Sequence, residues 1–486
     1  MSVSRISFSI RTGGIAVTAL LLAGCASIPD LGDKPEIRAP QSVEAGRSLS
    51  ADTVAWPSEN WWSAYGDPQL TSLIEEGLRN SPDMAVALAR FRQATAMAQQ
   101  SGAALLPTVD ATANAGVTKQ SYNMGMPKDF VPQGWLGTGK VGLDFGLDID
   151  LWGKNRASLA AATSEARAAE IDAQQARLAL TTAIADAYAD LARLYDEAEI
   201  QERTLEIRTA SQKLVADRRQ NGLETRGSVR QADATVSSAK AQLAAARVAI
   251  ELRQHQIAAL IGAGPDRGLA MTRPQIGQLA PLGLPADVTT NLVARRPDVA
   301  AALARTQAAA SRIKVARASF YPAVSLSALI GVQSLGYETL FTGTGASGGS
   351  TSFADNLFKK DSLFGSAGPA ISLPIFQGGR LKANLALSRL QQQQSALQFR
   401  RTVLQAWHEV DDAMDGYSAE QQRTVQLHVA VDESETALGA ARRQYQAGVV
   451  DMLDVLTTQR IALDNQAALA NSQATAAIAR VELYRA

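Results

Sequence analysis

The chain has 486 residues, 46% of them hydrophobic and only 5% aromatic, and its 47 basic and 47 acidic side chains leave no formal net charge. That balance argues against nucleic acid as a partner, because phosphate-binding chains carry a basic excess. A single cysteine, Cys25, excludes an intramolecular disulfide and a cysteine metal cluster; His255, His408 and His428 stand apart on helical patterns, so neither an enzymatic activity nor a cofactor is expected.

Residues 1–24 place Arg5 and Arg11 before the apolar run Ile15–Ala23, the layout of a secretory signal peptide. The run is shorter than the ~20 apolar residues of a spanning helix. It ends in Leu22-Ala23-Gly24-Cys25. That tetrapeptide resembles a bacterial lipobox, which implies cleavage before Cys25 and a covalent lipid upon it. Two acyl chains anchor a protein stably, at about 0.8 kcal/mol per buried methylene. Ala26 follows where lipoproteins kept at the inner membrane carry Asp, which implies the outer membrane. A lipidated extended segment, 25–66, is expected next.

A helix is expected near 68–101, followed by strands near 107–118 and 139–150. Along the second strand Val141, Leu143, Phe145, Leu147 and Ile149 share one face, and Gly142, Asp144, Gly146, Asp148 and Asp150 share the other. Val109 to Val117 alternate in the same way. Residues 133–264 hold no proline, so long helices are expected there, near 153–219 and 226–262. Leu180, Ile184, Ala187, Leu191, Leu194 and Ala198 are spaced four and three apart, a heptad seam for coiled-coil packing. Trp61 and Trp62 are expected to pack the N-terminal segment against these helices.

The remainder repeats this order, with helices near 287–318, 380–445 and 452–485 and strands near 322–334 and 365–375. Asn80-Ser-Pro-Asp matches Arg295-Arg-Pro-Asp, and Pro107 matches Pro322, at an offset of 215; Trp152-Gly-Lys-Asn-Arg156 matches Phe376-Gln-Gly-Gly-Arg380 at 224, and Gly222 matches Gly448 at 226. The chain is therefore one duplicated unit, with copies 67–280 and 281–486. The growing offset marks a longer insert in the second copy, near Gly343–Ser352. The GxGxxG pattern of Gly343-Thr-Gly345-Ala-Ser-Gly348 lies there without a βαβ context and reads as a loop.

Four strands of about ten residues, apolar on one face and small or polar on the other, fit transmembrane β-strands with lipid outside and water inside. Val141, Leu143, Phe145, Leu147 and Ile149 would face lipid. Four strands cannot close a barrel, and a bilayer forbids open sheet edges. Several chains must share one: two would supply eight strands and three would supply twelve, and the larger ring leaves room for an aqueous channel.

Trp61-Trp62, Asp67-Pro68-Gln-Leu70, the repeated Pro-Asp/Leu-Ala-Arg segments and Tyr445-Gln-Ala-Gly448-Val-Val-Asp451-Met-Leu-Asp454 resemble the outer-membrane factors, the TolC- and OprM-like channels of tripartite export systems. The resemblance covers nearly all of the mature chain. It implies a mainly α-helical homotrimer with a transmembrane β-barrel portion of twelve strands, four per chain, continuous with a long periplasmic α-helical coiled-coil barrel. The lipobox resembles the branch that serves proton-driven resistance–nodulation–division pumps. The implied partners are a periplasmic adaptor (membrane fusion) protein, an inner-membrane proton-driven transporter and outer-membrane lipid. Gly222, Leu223 and Thr225, with Gly448, Val449, Met452 and Leu453, are the implied adaptor-docking turns. Asp451 and Asp454 are gate candidates, six carboxylates around a narrow opening in a trimer; the same acids in a helix's first turn also favour its dipole. Passive efflux of small molecules such as drugs is the first functional reading. A conduit for an ATP-driven protein or peptide exporter is the second, and a lipid-anchored coiled-coil scaffold without a pore the third. Nothing in the sequence names the cargo.

Overall fold

The structure, a computed structural model, describes residues 53–54, 60–123, 134–275, 284–285, 296–336 and 353–485. Cys25, the segment before it and the insert at 343–352 lie outside the described residues. The main elements are α1 (Pro68–Asn80), α2 (Pro82–Ala103), β1 (Thr108–Thr118), β2 (Leu136–Ile149), α3 (Lys154–Gln220), α4 (Arg226–Leu260), α5 (Pro297–Ala318), β3 (Ala323–Leu335), β4 (Leu363–Ser372), α6 (Arg380–Gln446) and α7 (Met452–Arg485). The repeated order of long helix, hairpin and long helix is thus present in both halves. The chain divides into two compact units, one built from Gln93–Ala166 and Ala304–Ala396, the other from the remaining described residues. Each unit draws on both copies of the repeat.

The expected helix over 68–101 is two helices. Pro82 has no N–H to donate and restricts Ser81, which takes an extended conformation (ψ 127°) and ends α1. Pro82 then opens α2, where its missing donor costs nothing. Gly262, at φ 76°, sits against this break: a Cβ there would lie 2.4 Å from the Asn80 carbonyl oxygen, so only glycine fits. The fourth strand also differs from expectation. It starts at Leu363 and stops at Ser372, short of 375, because its partner β3 begins at Ala323, which pairs with Ser372 and leaves nothing for 373–375 to pair with.

α3 and α6 have 67 residues each, ~100 Å at ~1.5 Å per residue. All six seam residues of α3 are buried, none more than 8% exposed. Each fully buried Leu or Ile there contributes about 1.5–3 kcal/mol. Around the seam lie Trp61, Trp62, Tyr65, Leu70, Leu73, Ile257 and Val481. Trp61 stacks on Tyr484 of α7 at 4.9 Å, so the tryptophan pair packs against the helices as expected.

Residues 264–275 form a strap held by polar bonds. The Gln69 amide donates to the Thr272 carbonyl and accepts from the Thr272 N–H, each at 3.0 Å. Arg267 pairs with Glu76 at 2.9 Å, and Gln254 donates to the Met271 carbonyl at 3.1 Å. Asp67, buried, caps α1 through the Gln69 N–H at 2.8 Å and also accepts from the Tyr188 hydroxyl at 2.6 Å and the Gln275 N–H at 2.8 Å. Burial first, then the Asp67 carboxylate, raises the Tyr188 phenol above its ordinary range and keeps it a donor.

Candidate functional site: a two-faced sheet and two glycine turns

The four strands form one antiparallel sheet in the order β1-β2-β3-β4. Register places like with like. Ala113, Val141, Val332 and Leu363 form one cross-strand row, Ala111, Leu143, Ile330 and Gly365 the next, and Val109, Phe145, Ala328 and Ala367 the third. Leu147 with Leu326 and Ile149 with Val324 continue it. All five residues named from the sequence therefore lie on one apolar face. This face is uncovered: Val109 is 65% exposed, Leu143 50%, Ile330 57% and Ile371 70%. An apolar surface of that extent on a sheet calls for apolar surroundings.

The opposite face is polar. Asn114, Lys140 and Gln333 form one row, and Asp110, Asp144, Leu329 and Ser366 another. Two carboxylates directly across a strand pair repel unless water surrounds them. Thr112 donates to Asp144 at 3.0 Å, and the Lys140 ammonium sits 5.1 Å over the Phe364 ring. Asp150, expected on this face, lies just past β2. Its carboxylate instead accepts from the Asn155 and Arg156 N–H groups at 3.0 and 2.9 Å, capping α3. Strands β1 and β4 each have one neighbour, so both outer edges are open.

In the other unit, the α3–α4 and α6–α7 turns share one design. Gly222 (φ 75°) donates to the Arg219 carbonyl and Leu223 to that of Arg218, each at 2.9 Å. Gly448 (φ 76°) donates to Tyr445 at 3.0 Å and Val449 to Gln444 at 2.9 Å. Both are Schellman ends, which need the left-handed conformation glycine tolerates. A capping side chain starts each following helix: Thr225 accepts from the Ser228 N–H at 3.1 Å, and Asp451 from that of Asp454 at 3.0 Å. Leu223, Val449 and Leu453 are 66%, 73% and 68% exposed, and Met452 is the first residue of α7. Asp451 and Asp454 are both exposed, Asp451 as the cap and Asp454 in the first turn. One linkage was not visible in the sequence: the Arg218 guanidinium stands 5.5 Å over the Tyr445 ring, joining the two turns. The repeat offset aligns Tyr445 with Arg219, so the signal was a position where the copies differ.

Among the described residues no group of His, Cys, Asp and Glu could hold a metal, and no helix is long and apolar enough to cross a membrane. His408 and His428 are exposed. Glu409, next to His408, pairs with Arg296 at 2.6 Å.

The sequence profile described as "Outer membrane efflux protein" matches residues 73–263 and 288–486. The chain belongs to the outer membrane efflux protein family. The two matched stretches fall one in each half of the chain. The chain is 36% identical over 382 residues to the fusaric acid resistance protein FusA of Burkholderia cepacia, spanning 76% of this chain and 68% of that one. It is 31% identical to the pyoverdine export outer membrane protein OpmQ of Pseudomonas putida, over 89% and 88% of the two chains. The crystal structure of the outer membrane protein VceC of Vibrio cholerae superposes with a TM-score of 0.78 at 39% identity, covering 88% of this chain and 98% of VceC. The fold is that of the trimeric outer-membrane channels, with a β-barrel portion and a helical tunnel. This family member is an outer-membrane channel of tripartite efflux, and its family is one of conduits.

Proposed function

We propose that three copies of this chain close a twelve-stranded barrel and pass small organic molecules outward from a proton-driven inner-membrane pump through a periplasmic adaptor. The observation that carries the reading is the sheet: one continuous apolar face, one polar face and two open edges. Pairing β1 of one copy with β4 of the next removes both edges, as a bilayer requires. Val141, Leu143, Phe145, Leu147 and Ile149 then meet lipid, and Asp110, Asp144 and Lys140 line water. FusA and OpmQ are named for fusaric acid and pyoverdine, which supports a small-molecule cargo.

The mature chain begins at Cys25 with a covalent lipid, runs through the extended segment 25–66 and then the two copies 67–280 and 281–486. Gly222, Leu223, Thr225, Gly448, Val449, Met452 and Leu453 form the adaptor-docking turns. Asp451 and Asp454 form the gate, six carboxylates around the narrow opening of a trimer. Capping by Asp451 holds the ring in place. The test is a photo-crosslinker at Val449 in cells, with Cys25 intact. Recovery of an adaptor together with a proton-driven transporter is the expected result. Recovery of an ATP-binding exporter instead would overturn the efflux reading.

A further inference from the structure

The two copies of the repeat differ in what lies beside one arginine. In the first, Arg156 pairs with the Asp150 carboxylate at 3.3 Å. The repeat offset of 224 carries Arg156 onto Arg380 and Asp150 onto Pro374. The arginine is kept, and its carboxylate is gone. Arg380 donates only to the Gln377 amide oxygen, from Nε at 3.1 Å and also from Nη2. Its charge therefore lacks the nearby carboxylate that the equivalent arginine of the first copy has.

Arg380 lines a cavity of about 720 Å³ within the sheet-bearing unit, at the end of the sheet where Asp148, Ile149, Val324 and Ser372 also line it. Other charged lining groups are Asp148, Asp150, Lys154 and Arg312. Asp150 is engaged by Arg156, and Arg312 by Glu165 at 2.9 Å. Among the described residues neither Lys154 nor Arg380 has a carboxylate partner, which leaves two cations against Asp148. Trp152 lines the same cavity. Its indole N–H is fixed on the Pro322 carbonyl at 2.8 Å, and one ring face stacks on Tyr321 at 4.7 Å. The ring remains 51% exposed, held in place for a second stacking partner.

We propose that this cavity is a passage site for small aromatic carboxylates, Arg380 and Lys154 taking the carboxylate and Trp152 the ring. The proposal rests on the channel reading above, since a conduit needs sites that bind well enough to admit cargo and weakly enough to release it. Exposed cations and an open cavity suit such weak, reversible binding. A guanidinium also receives a carboxylate through two parallel bonds, which a lysine alone does not offer.

The test uses the full lipidated protein purified in detergent, benzoate as the probe and saturation-transfer NMR as the readout. Benzoate is expected to bind saturably in the millimolar range and more tightly than acetate or benzylamine. Pro374→Asp restores the missing carboxylate beside Arg380 and is expected to weaken benzoate about tenfold, the worth of one charged hydrogen bond. Arg380→Gln is expected to do the same and carries the test if Pro374→Asp fails to assemble. Trp152→Leu is expected to weaken benzoate and leave acetate unchanged. Benzylamine binding as well as benzoate, or benzoate affinity unchanged in both charge variants, would overturn the site. Inorganic phosphate displacing benzoate with higher affinity would overturn the aromatic-acid assignment in favour of a phosphate or lipid headgroup. Conductance in planar bilayers separates the two levels: a conducting channel that ignores benzoate refutes only this site, and no conductance refutes the channel.

Discussion

Leu143→Arg tests the orientation of the sheet at its most sensitive point. Leu143 sits in the middle of β2, whose span is Leu136–Ile149, with Ala111 and Ile330 on either side. Half-exposed in the single chain, it would face the bilayer midplane in a closed barrel. An arginine on the lipid face at that depth costs about 2–4 kcal/mol, and three copies bring roughly 6–12 kcal/mol to one trimer. Long side chains near a membrane surface escape by reaching headgroups, but mid-strand neither surface is close. The assay is the amount of SDS-resistant trimer in outer-membrane fractions, expected to fall at least severalfold. Thr112→Arg is the control: it lies at nearly the same depth, opposite Gly142, on the polar face beside Asp144. It should assemble normally, because its charge meets water and a carboxylate. Equal yields from Leu143→Arg and Thr112→Arg would refute the assignment of lipid and water faces.

Asp186 gives a pH prediction. Burial first, then repulsion from Glu482, pushes its carboxyl up from 3.8 to about 6, against the opposing pull of Arg485. The folded state therefore prefers the protonated form, and ionised Asp186 destabilises it above pH 6. Thermal stability should rise as pH falls from 7 towards 5, and Asp186→Asn should raise stability at pH 7 by about 2 kcal/mol and flatten that part of the profile. An Asn variant less stable than the parent at pH 7 would contradict this. Asp67→Ala should cost about 2–4 kcal/mol, since it strands the Tyr188 hydroxyl and two N–H groups at once, read as a lower melting temperature. Gly262→Ala should cost at least ~2 kcal/mol, from its positive φ and the clash with the Asn80 carbonyl, and an unchanged melting temperature would count against that packing. Asp451→Ala with Asp454→Ala should raise resting conductance in planar bilayers; an unchanged leak would remove the carboxylate gate.

What the sequence made legible follows from periodicity. The seam of α3 was readable because its spacing of four and three survives in the packing without exception. The sheet faces were readable because strict alternation has one meaning in a paired strand. The misreadings share a cause. At Pro82 the apolar pattern ran on across a proline that opens a helix as readily as it breaks one. Past Ser372 the alternation continued through Leu373 and Ile375 after the partner strand had ended. The strap at 264–275, beyond its short helical turn Pro265–Leu269, has no period: Gln69, Gln254 and Asp67 hold it by isolated side-chain hydrogen bonds, which leave no pattern in a lone chain. The glycine turns were legible as turns, yet the Arg218–Tyr445 contact joining them was not, because it pairs residues far apart in sequence.

The open outer edges of β1 and β4 carry a genetic consequence. A chain whose sheet is completed only by its neighbours cannot be judged one copy at a time. A subunit with a broken β1 edge would deprive the next subunit's β4 of its partner, and one faulty member would spoil a ring of three. In a cell making equal amounts of sound and faulty chains, only about one ring in eight would be wholly sound if assembly were random. Edge mutations in this protein should therefore behave as dominant ones, while losses buried inside a single subunit should be recessive.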